Sequence, residues 1–409
     1  MGNEDSRSKA LVYTSLAHFI NDGTVSLVPL IGAIFAAKAI SPLAIGLMFV
    51  VFNISSSVLS TYVGAIADRT GRPGSMIGMG LGLLSLGILG FSGLVVYGSG
   101  YTLAVLLVLS AFLAGFGNAF IHPLMATVLQ LSYREKSMGK ALGVNGAIGS
   151  LGRALYPTLY FLATAFLAQD ESIAFFALMG FAASVLVWVG FMQKRQPNIE
   201  SKATRAKYRV RDLASRSTVI LIAAAFVRSL AVGGILNWIP TYISLQKGVG
   251  VTTLLGLSLT AMYAAAIVGQ PIFGLLVGRF DKRLIMGVSS VGSALSILGY
   301  IFTTGVVEIS MLVLFGFLTL SAFPLFLSLA SDYVPREAYS LGNALVWGLG
   351  VTGGQAIGPA ITTAIIVTDY AKLGFAFEVM ALIFLISVVV TAFIPRPDKR
   401  GESPPFSHE

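Results

Sequence analysis

A few ionisable side chains stand inside otherwise apolar stretches of this sequence. Asp22, His122, Arg153 and Arg228 each lie about ten residues or more from the nearer end of a long apolar run. At a rise of 1.5 Å per residue, that depth is about 15 Å, close to the centre of a lipid bilayer. Charged groups at this depth are costly to bury and usually serve a function, such as proton transfer or the binding of a charged ligand.

Asp22 is the carboxylate of this set and therefore the candidate for binding a proton. Loss of water favours its neutral form and a neighbouring arginine favours its charged form, so movement of a ligand could decide whether the proton is held. The alternative is a static ion pair with Arg153 or Arg228 that only fixes helix packing. His18 shares a helix face with Asp22. His122 could relay a proton with His18, or it could simply hydrogen-bond a neighbouring helix.

The two arginines give this set a surplus of positive charge. Guanidinium groups suit two-point recognition of carboxylate, phosphate or phosphonate, so Arg153 and Arg228 predict an anionic or zwitterionic ligand. In the alternative, one arginine pairs with Asp22 and the other binds backbone carbonyls. Other polar and aromatic residues of the apolar runs could contact a ligand or serve packing alone. They are Asn53, Asn118, Asn237, Trp238, Tyr263, Gln270, Trp347 and Gln355.

The surrounding sequence is that of an integral membrane protein. Of its 409 residues, 56% are hydrophobic and 11% are charged, and no soluble domain of this length could bury so much apolar surface. Twelve stretches are long and apolar enough to cross a bilayer. They lie near residues 11–37, 43–67, 74–97, 101–131, 137–167, 171–193, 217–246, 252–277, 284–305, 308–333, 338–367 and 371–394.

The formal net charge of +9 reflects membrane topology rather than binding to nucleic acid. Most Lys and Arg residues lie in the N-terminus, in the loops after even-numbered spans and in the C-terminus. The positive-inside rule then predicts cytoplasmic termini in a multi-pass protein of the cell membrane, and the first span is expected to be retained as an anchor. The sequence has no cysteine, which excludes disulfides, thiol catalysis and Cys-ligated metals.

The spans divide into two sets of six. We expect a first bundle over residues 1–193, a basic cytoplasmic linker over 194–216, a second bundle over 217–395 and a cytoplasmic tail over 396–409. Such repeated halves are a known transporter plan, with the substrate site between the halves near the membrane centre.

The halves also repeat particular residues. Pro29 of span 1 is matched by Pro240 of span 7, and Pro123 of span 4 is matched by Pro324 of span 10. Spans 5 and 11 carry corresponding Gly-rich segments. These segments lack the Lys-Ser/Thr pair of a phosphate-binding loop, so they predict close packing of helices.

The loop after span 2 contains a specific motif. It reads Gly64-x-x-x-Asp68-Arg69-x-Gly71-Arg72, and a degenerate copy after span 8 has Gly278 in place of the aspartate. This pattern resembles a signature of the major facilitator superfamily, and the resemblance covers essentially residues 10–395. It implies an all-α membrane protein with twelve transmembrane helices in two pseudo-symmetric six-helix bundles. It also implies alternating access, with spans 1, 4 and 7 lining the cavity and span 5 beside it.

Two shorter segments resemble one branch of that superfamily. Residues 15–22 (Ser-Leu-Ala-His-Phe-Ile-Asn-Asp) and 120–123 (Phe-Ile-His-Pro) are similar to the fosmidomycin-resistance branch of drug exporters. The superfamily's span-4 pattern Arg-x-x-Gln-Gly, which is linked to proton transfer in many exporters, is replaced by Asn118-Ala-Phe-Ile-His122. The coupling role of that pattern therefore does not carry over to this chain.

The resemblance further implies a latch between the two halves on the cytoplasmic side. A carboxylate in the motif can accept from the N-terminus of a neighbouring helix, and its cations can pair with cytoplasmic acids. Such a latch would hold the outward-open state, and the degenerate copy predicts a weaker second latch. Its expected members are Gly64, Asp68, Arg69, Gly71, Arg72 and Glu135.

The predicted function is therefore secondary transport, most simply export of a small organic or anionic compound in exchange for protons. An uptake symporter or exchanger for organic anions or sugar phosphates is the rival of the same class. A membrane receptor or enzyme without flux is the rival of another class, although the sequence lacks paired carboxylates or a His/Glu cluster at metal-ligand spacing. We expect a monomer in the lipid bilayer with a small-molecule substrate, and no cofactor, metal ion or nucleic acid.

Overall fold

The computed structural model describes residues 2–97, 100–133, 135–192, 210–277, 279–334, 342 and 344–396. These residues form helices joined by short turns. The first bundle contains α1 (Gly2–Ala37), α2 (Pro42–Thr70), α3 (Pro73–Tyr97), α4 (Gly100–Ala119), α5 (Ile121–Ser132), α6 (Glu135–Ala163) and α7 (Gln169–Met192). The second contains α8 (Arg216–Leu245), α9 (Thr253–Val277), α10 (Lys282–Phe302), α11 (Gly305–Ser321), α12 (Phe323–Tyr333), a π-helical segment (Val346–Thr352), α13 (Gly353–Ile366) and α14 (Leu373–Ala392).

Ten helical segments of the described residues are long and apolar enough to cross a membrane. They coincide with ten of the twelve predicted spans. Predicted span 5 corresponds to α6, which is 29 residues long but carries many polar residues. Predicted span 10 corresponds to α11 followed by α12. The predicted all-α architecture of twelve transmembrane helices in two bundles is confirmed.

The predicted domain boundaries remain predictions, because most of the 194–216 linker and the tail from 397 onward lie outside the described residues. Of the linker, Val210–Leu213 forms a short 3₁₀ turn. Ser215 then caps α8, its side chain accepting a hydrogen bond from the backbone N–H of Thr218 at 3.2 Å. Such caps satisfy one of the free N–H groups at a helix start.

Two of the spans are broken at matching positions. In span 4, α4 ends at Ala119 and α5 begins at Ile121, and Pro123 has no N–H with which to continue the helix across that point. In span 10, α11 and α12 meet at Ala322, just before Pro324. Backbone freed by such breaks is tolerated in a membrane only where protein or a water-filled cavity satisfies it.

The two bundles contact each other towards one side of the membrane. We call the side on which α1 begins and α2 ends the terminal side, and the other the opposite side. The hydroxyls of Thr158 and Thr260 are 2.7 Å apart, and Thr260 also donates to the carbonyl of Ala154 at 2.6 Å. At the opposite surface, the Tyr370 hydroxyl donates to the carbonyl of Ile40. These contacts close the space between the bundles on the opposite side.

The bundles separate towards the terminal side. Ser57 donates to the Thr352 hydroxyl at 2.9 Å. Among the described residues, this is the hydrogen bond between the bundles that lies nearest to the terminal side. Ser57 is only about 22 Å along α2 from its start at Pro42, and the described side chains beyond it on that helix form no hydrogen bond to the second bundle. A Cβ atom added to Gly143 or Gly146 of α6 would meet no atom within 4 Å. The described residues therefore enclose a cleft that opens to the terminal side.

Candidate functional site

Four ionisable side chains from three helices converge near the middle of the first bundle. His18 and Asp22 come from α1, His122 from α5 and Arg153 from α6. Arg153 Nη2 donates to Asp22 Oδ2 at 2.6 Å. The Nε2 atom of His18 lies 3.6 Å from the same oxygen, and the Nε2 atom of His122 lies 3.6 Å from Asp22 Oδ1. We call these four residues the central cluster.

Glycines of α6 allow this convergence. A Cβ atom at Gly149 would lie 2.3 Å from Cδ2 of the His18 ring, and one at Gly152 would lie 2.2 Å from the carbonyl oxygen of Phe19. Small residues at helix interfaces let membrane helices approach closely. The helix break before Pro123 likewise places His122 at the start of α5, where its ring meets that of His18 edge to face at 5.2 Å between centroids.

Asn145 holds His18 in position from the side opposite to Asp22. Its Oδ1 atom lies 2.7 Å from His18 Nδ1, and its Nδ2 atom faces the Ser15 hydroxyl at 3.5 Å. Asn145 is not among the site residues predicted from the sequence. The signal that could have found it is its spacing, because Asn145 and Arg153 lie eight residues apart and therefore share a face of α6.

The cluster is graded from buried to exposed. The side chain of Asp22 is 4% exposed and that of His18 is 13% exposed, whereas Arg153 is 35% and His122 is 51% exposed. Asp22 also accepts a hydrogen bond from Asn21 at 3.1 Å. Arg153 and His122 therefore form a wall of the cleft, with a paired carboxylate behind them that can exchange a proton or accept from a ligand.

Arg228 does not join this cluster. It is 1% exposed within the second bundle and donates to the carbonyls of Thr319 at 3.1 Å and Leu318 at 3.4 Å. Its guanidinium also lies over the rings of Phe326 and Phe384, at 5.8 and 5.7 Å from their centroids. This arrangement matches the alternative in which one arginine pairs with Asp22 and the other binds backbone carbonyls. A role for Arg228 in binding substrate stays a prediction, and Arg228 is not part of the proposed site.

The other predicted wall residues lie in different surroundings. Asn118 is partly exposed and donates to the Ser56 hydroxyl at 2.7 Å, and Tyr263 is buried on α9. Trp347 is 37% exposed on the π-helical segment, a feature frequent at functional sites.

Three further wall candidates pack more tightly. Trp238 is fully buried and packs edge-on against Phe49 at the bundle interface. Asn237 accepts from Asn53 at 3.3 Å. The backbone of Gln355 packs on Gly233.

The predicted latch is described only in part. Gly71 ends α2 with φ 63°, a left-handed conformation that favours glycine, and its N–H bonds to the carbonyl of Ala67. Arg69 and Arg72 are exposed, and a Cβ atom at Gly64 would meet nothing within 4 Å. The side chains of Asp68 and Glu135 lie outside the described residues, so the latch remains a prediction.

The degenerate copy of the motif forms a different local structure. Asp281 caps α10 by accepting from the backbone N–H of Arg283, and the two side chains form an ion pair. The hydrogen bonds from Arg283 hold the pKa of Asp281 below its usual range. Lys282 pairs with Asp332 of α12 at 2.7 Å. These contacts join helices of the second bundle to each other.

Comparison with known proteins identifies relatives over nearly the whole chain. The family profile of the Major Facilitator Superfamily matches residues 14–346 and residues 252–409. The chain is 25% identical over 397 residues to the fosmidomycin resistance protein of Escherichia coli (strain K12), covering 93% of this chain and 91% of that protein. It is 24% identical over 409 residues to the uncharacterized MFS-type transporter YfnC of Bacillus subtilis (strain 168), covering 95% and 93%.

Solved structures share this fold. A bacterial homologue of the human lysosomal transporter Spinster, in an inward-facing and occupied conformation, has a TM-score of 0.75 at 13% identity over 95% of this chain and 96% of that chain. A D-xylose–proton symporter has a TM-score of 0.76 at 14% identity over 97% of this chain and 99% of that chain.

Proposed function

Because the chain belongs to the Major Facilitator Superfamily, whose members are membrane carriers, we propose that it exports a small organic or anionic compound in exchange for protons. The main support for the proposal is the central cluster, in which a buried carboxylate lies behind a partly exposed guanidinium (Arg153) and a half-exposed imidazole (His122) on the wall of the cleft. The likeness to a protein named for fosmidomycin resistance supports export of a compound that bears a phosphonate.

Asp22 is the proposed proton site. In the present arrangement the charged carboxylate is compensated by Arg153 and Asn21. A proton on Asp22 would weaken the pair with Arg153, and His122 would carry that proton between Asp22 and the cleft. Exchange of substrate for protons follows if a hydrogen-bond donor or a cationic group of the substrate occupies the carboxylate directly, because that group and the proton then compete for Asp22.

The ion pair also favours a second candidate, uptake of an organic anion together with protons. An anionic substrate that binds Arg153 must displace Asp22, and a displaced carboxylate takes up a proton in this low-dielectric site. Substrate and proton would then bind together rather than in competition. The two candidates predict opposite directions of proton movement for the same movement of substrate.

A single measurement separates them. The purified protein is placed in liposomes that contain a pH-sensitive dye, and fosmidomycin is added outside as the phosphonate probe. Exchange makes the lumen more alkaline as the probe enters, whereas cotransport makes it more acidic. Uptake of the probe with no change in luminal pH would contradict both forms of coupling.

The Asp22→Asn variant tests the assignment of the proton site. We expect it to lose transport driven by a pH gradient but to keep exchange of labelled for unlabelled probe, because an amide cannot bind the proton. Asp170→Asn, the same change in the first turn of α7, is the matched control and should keep both activities. An Asp22→Asn variant that still concentrates the probe against a gradient would show that the proton binds elsewhere.

We also propose that the protein lies in the cell membrane with both termini in the cytoplasm, as the distribution of basic loops supports. The terminal side is then the cytoplasmic side, and the cleft opens inward.

A further inference from the structure

We propose that His18, Asp22 and His122 form a binding site for a divalent transition-metal ion such as Zn²⁺. One donor atom from each residue lies within 4.8 Å of the other two. Each histidine Nε2 atom is 3.6 Å from a different oxygen of the Asp22 carboxylate. Nitrogen and oxygen ligands at about 2.1 Å around a tetrahedral ion lie about 3.4 Å apart, so only small shifts are needed.

Asn145 orients His18 as a metal ligand. The amide nitrogen of Asn145 faces the Ser15 hydroxyl at 3.5 Å, and its oxygen lies 2.7 Å from His18 Nδ1, where it can accept from an Nδ1–H group. A neutral His18 then carries its hydrogen on Nδ1 and directs the lone pair of Nε2 at the carboxylate. A proton or a metal ion can lie between this nitrogen and the carboxylate oxygen, 3.6 Å away. A hydrogen-bond acceptor on the far ring nitrogen is the usual way in which ligating histidines are held.

The donor set selects the class of ion. Two imidazoles and one carboxylate suit Zn²⁺, Ni²⁺ or Co²⁺, whereas Mg²⁺ and Ca²⁺ prefer oxygen ligands alone. The sequence contains three histidines and no cysteine. Two of these histidines face the same carboxylate, that of Asp22. No metal ion is expected from the sequence, because only His18 and Asp22 share a helix face, four residues apart on α1, and the third donor, His122, comes from α5, which is distant in sequence.

The half-exposed His122 side of the cluster leaves room for the ion to arrive from the cleft and for a further ligand, such as water, to complete its coordination. Arg153 must give way, because its Nη2 atom occupies the oxygen that His18 faces. Its side chain is 35% exposed and can move into the cleft. The metal ion and Arg153 therefore compete for Asp22, a relation that distinguishes this site from histidines that bind metal at the surface.

The experiment is titration calorimetry of the full-length protein, purified with a histidine-free tag, with ZnCl₂. We expect one ion per chain. His122→Gln and Asp22→Asn should each weaken binding by about tenfold or more, the usual loss for a perturbed ligand set. Arg153→Gln should instead tighten binding by about tenfold, because it removes the competing positive charge. MgCl₂ should give no heat.

The controls separate this site from others. His408→Gln, which changes the third histidine of the sequence, should bind Zn²⁺ as the wild type does. The proposal is overturned if Asp22→Asn binds as tightly as wild type, if His408→Gln removes binding, or if Arg153→Gln weakens it. Should Asp22→Asn fail to fold, His122→Gln decides, since that side chain is half-exposed. Binding is measured without any gradient, so its outcome is independent of the proposed proton exchange.

Discussion

Asp22 can hold a charge in the middle of the membrane because its neighbours replace the water it has lost. Arg153 and Asn21 donate to its two oxygens, and the edges of two imidazole rings lie next to them. Removing one partner of a buried pair leaves an uncompensated charge and is strongly destabilising. The charged groups must stay close together, and uncharged residues make that possible. The most important are the glycines that let α6 approach α1.

Gly149 provides a test at this scale. We expect Gly149→Ala to displace the His18 ring, because the added Cβ atom would lie 2.3 Å from it, and to lower both thermal stability and pH-driven transport. A displacement of this kind in a packed interior usually costs about 1–3 kcal/mol.

Gly146→Ala is the matched control on the same helix. Its added Cβ atom meets nothing within 4 Å, so the free energy of unfolding should be unchanged or higher by up to about 1 kcal/mol. Thermal unfolding in detergent measures both variants. Equal destabilisation by the two would show that helix propensity, not contact with His18, decides the effect.

At the scale of helices, the two broken spans serve different purposes. The break between α4 and α5 brings His122 to the cleft. The break between α11 and α12 frees carbonyls at the end of α11, and Arg228 binds those of Leu318 and Thr319. A cation near a helix C-terminus is also favoured by the helix dipole. One half thus uses the break for the site, and the other uses it for packing.

Replacing each of the two arginines, Arg153 and Arg228, by methionine tests whether it serves substrate binding or helix packing. Arg228→Met should lower the free energy of unfolding by about 2 kcal/mol, since buried carbonyls lose charged donors, while the folded fraction keeps its affinity for the phosphonate probe. Arg153→Met should lose that affinity. Thermal shift and equilibrium binding give the two readouts. Loss of probe affinity in folded Arg228→Met would restore Arg228 to the substrate site.

At the scale of the whole molecule, transport requires the closed side to open. The bundles are joined on the opposite side by hydroxyl contacts such as Thr158 to Thr260 and by Tyr370 with Ile40. These are neutral hydrogen bonds, each contributing about 1 kcal/mol. A proton or substrate that binds the open form more tightly than the closed form can therefore supply the free energy needed to break these hydrogen bonds.

A disulfide across this contact should stop the cycle. The natural sequence has no cysteine, so Thr158→Cys with Thr260→Cys introduces the sole thiol pair. After oxidation we expect loss of nearly all transport, restored by a reducing agent, because the opposite side can no longer open. Each single cysteine variant is the control and should transport before and after oxidation. Undiminished transport by the oxidised pair would mean that these helices do not separate.

The sequence by itself determined the number and order of the spans and the depth of each ionisable residue. Length and apolar composition decide which segments enter the bilayer, and the fixed helical rise then sets how deep Asp22 or Arg228 lies. The repeated prolines alone do not locate the helix breaks, because Pro123 and Pro324 lie at breaks whereas Pro29 and Pro240 lie inside continuous helices. The motif after span 2 is a local pattern of nine residues, and it is sufficient to indicate the superfamily.

Only the tertiary structure decided which side chains meet. Arg153 and Arg228 lie at similar depth, yet one pairs with Asp22 and the other with the end of α11. Asn145 became part of the site through a contact between helices distant in sequence. Depth is a property of one helix, whereas a helix's rotation and its partners follow from packing many helices together. The pattern within a single span can place Asn145 and Arg153 on one face of α6, but it does not show which residues that face contacts.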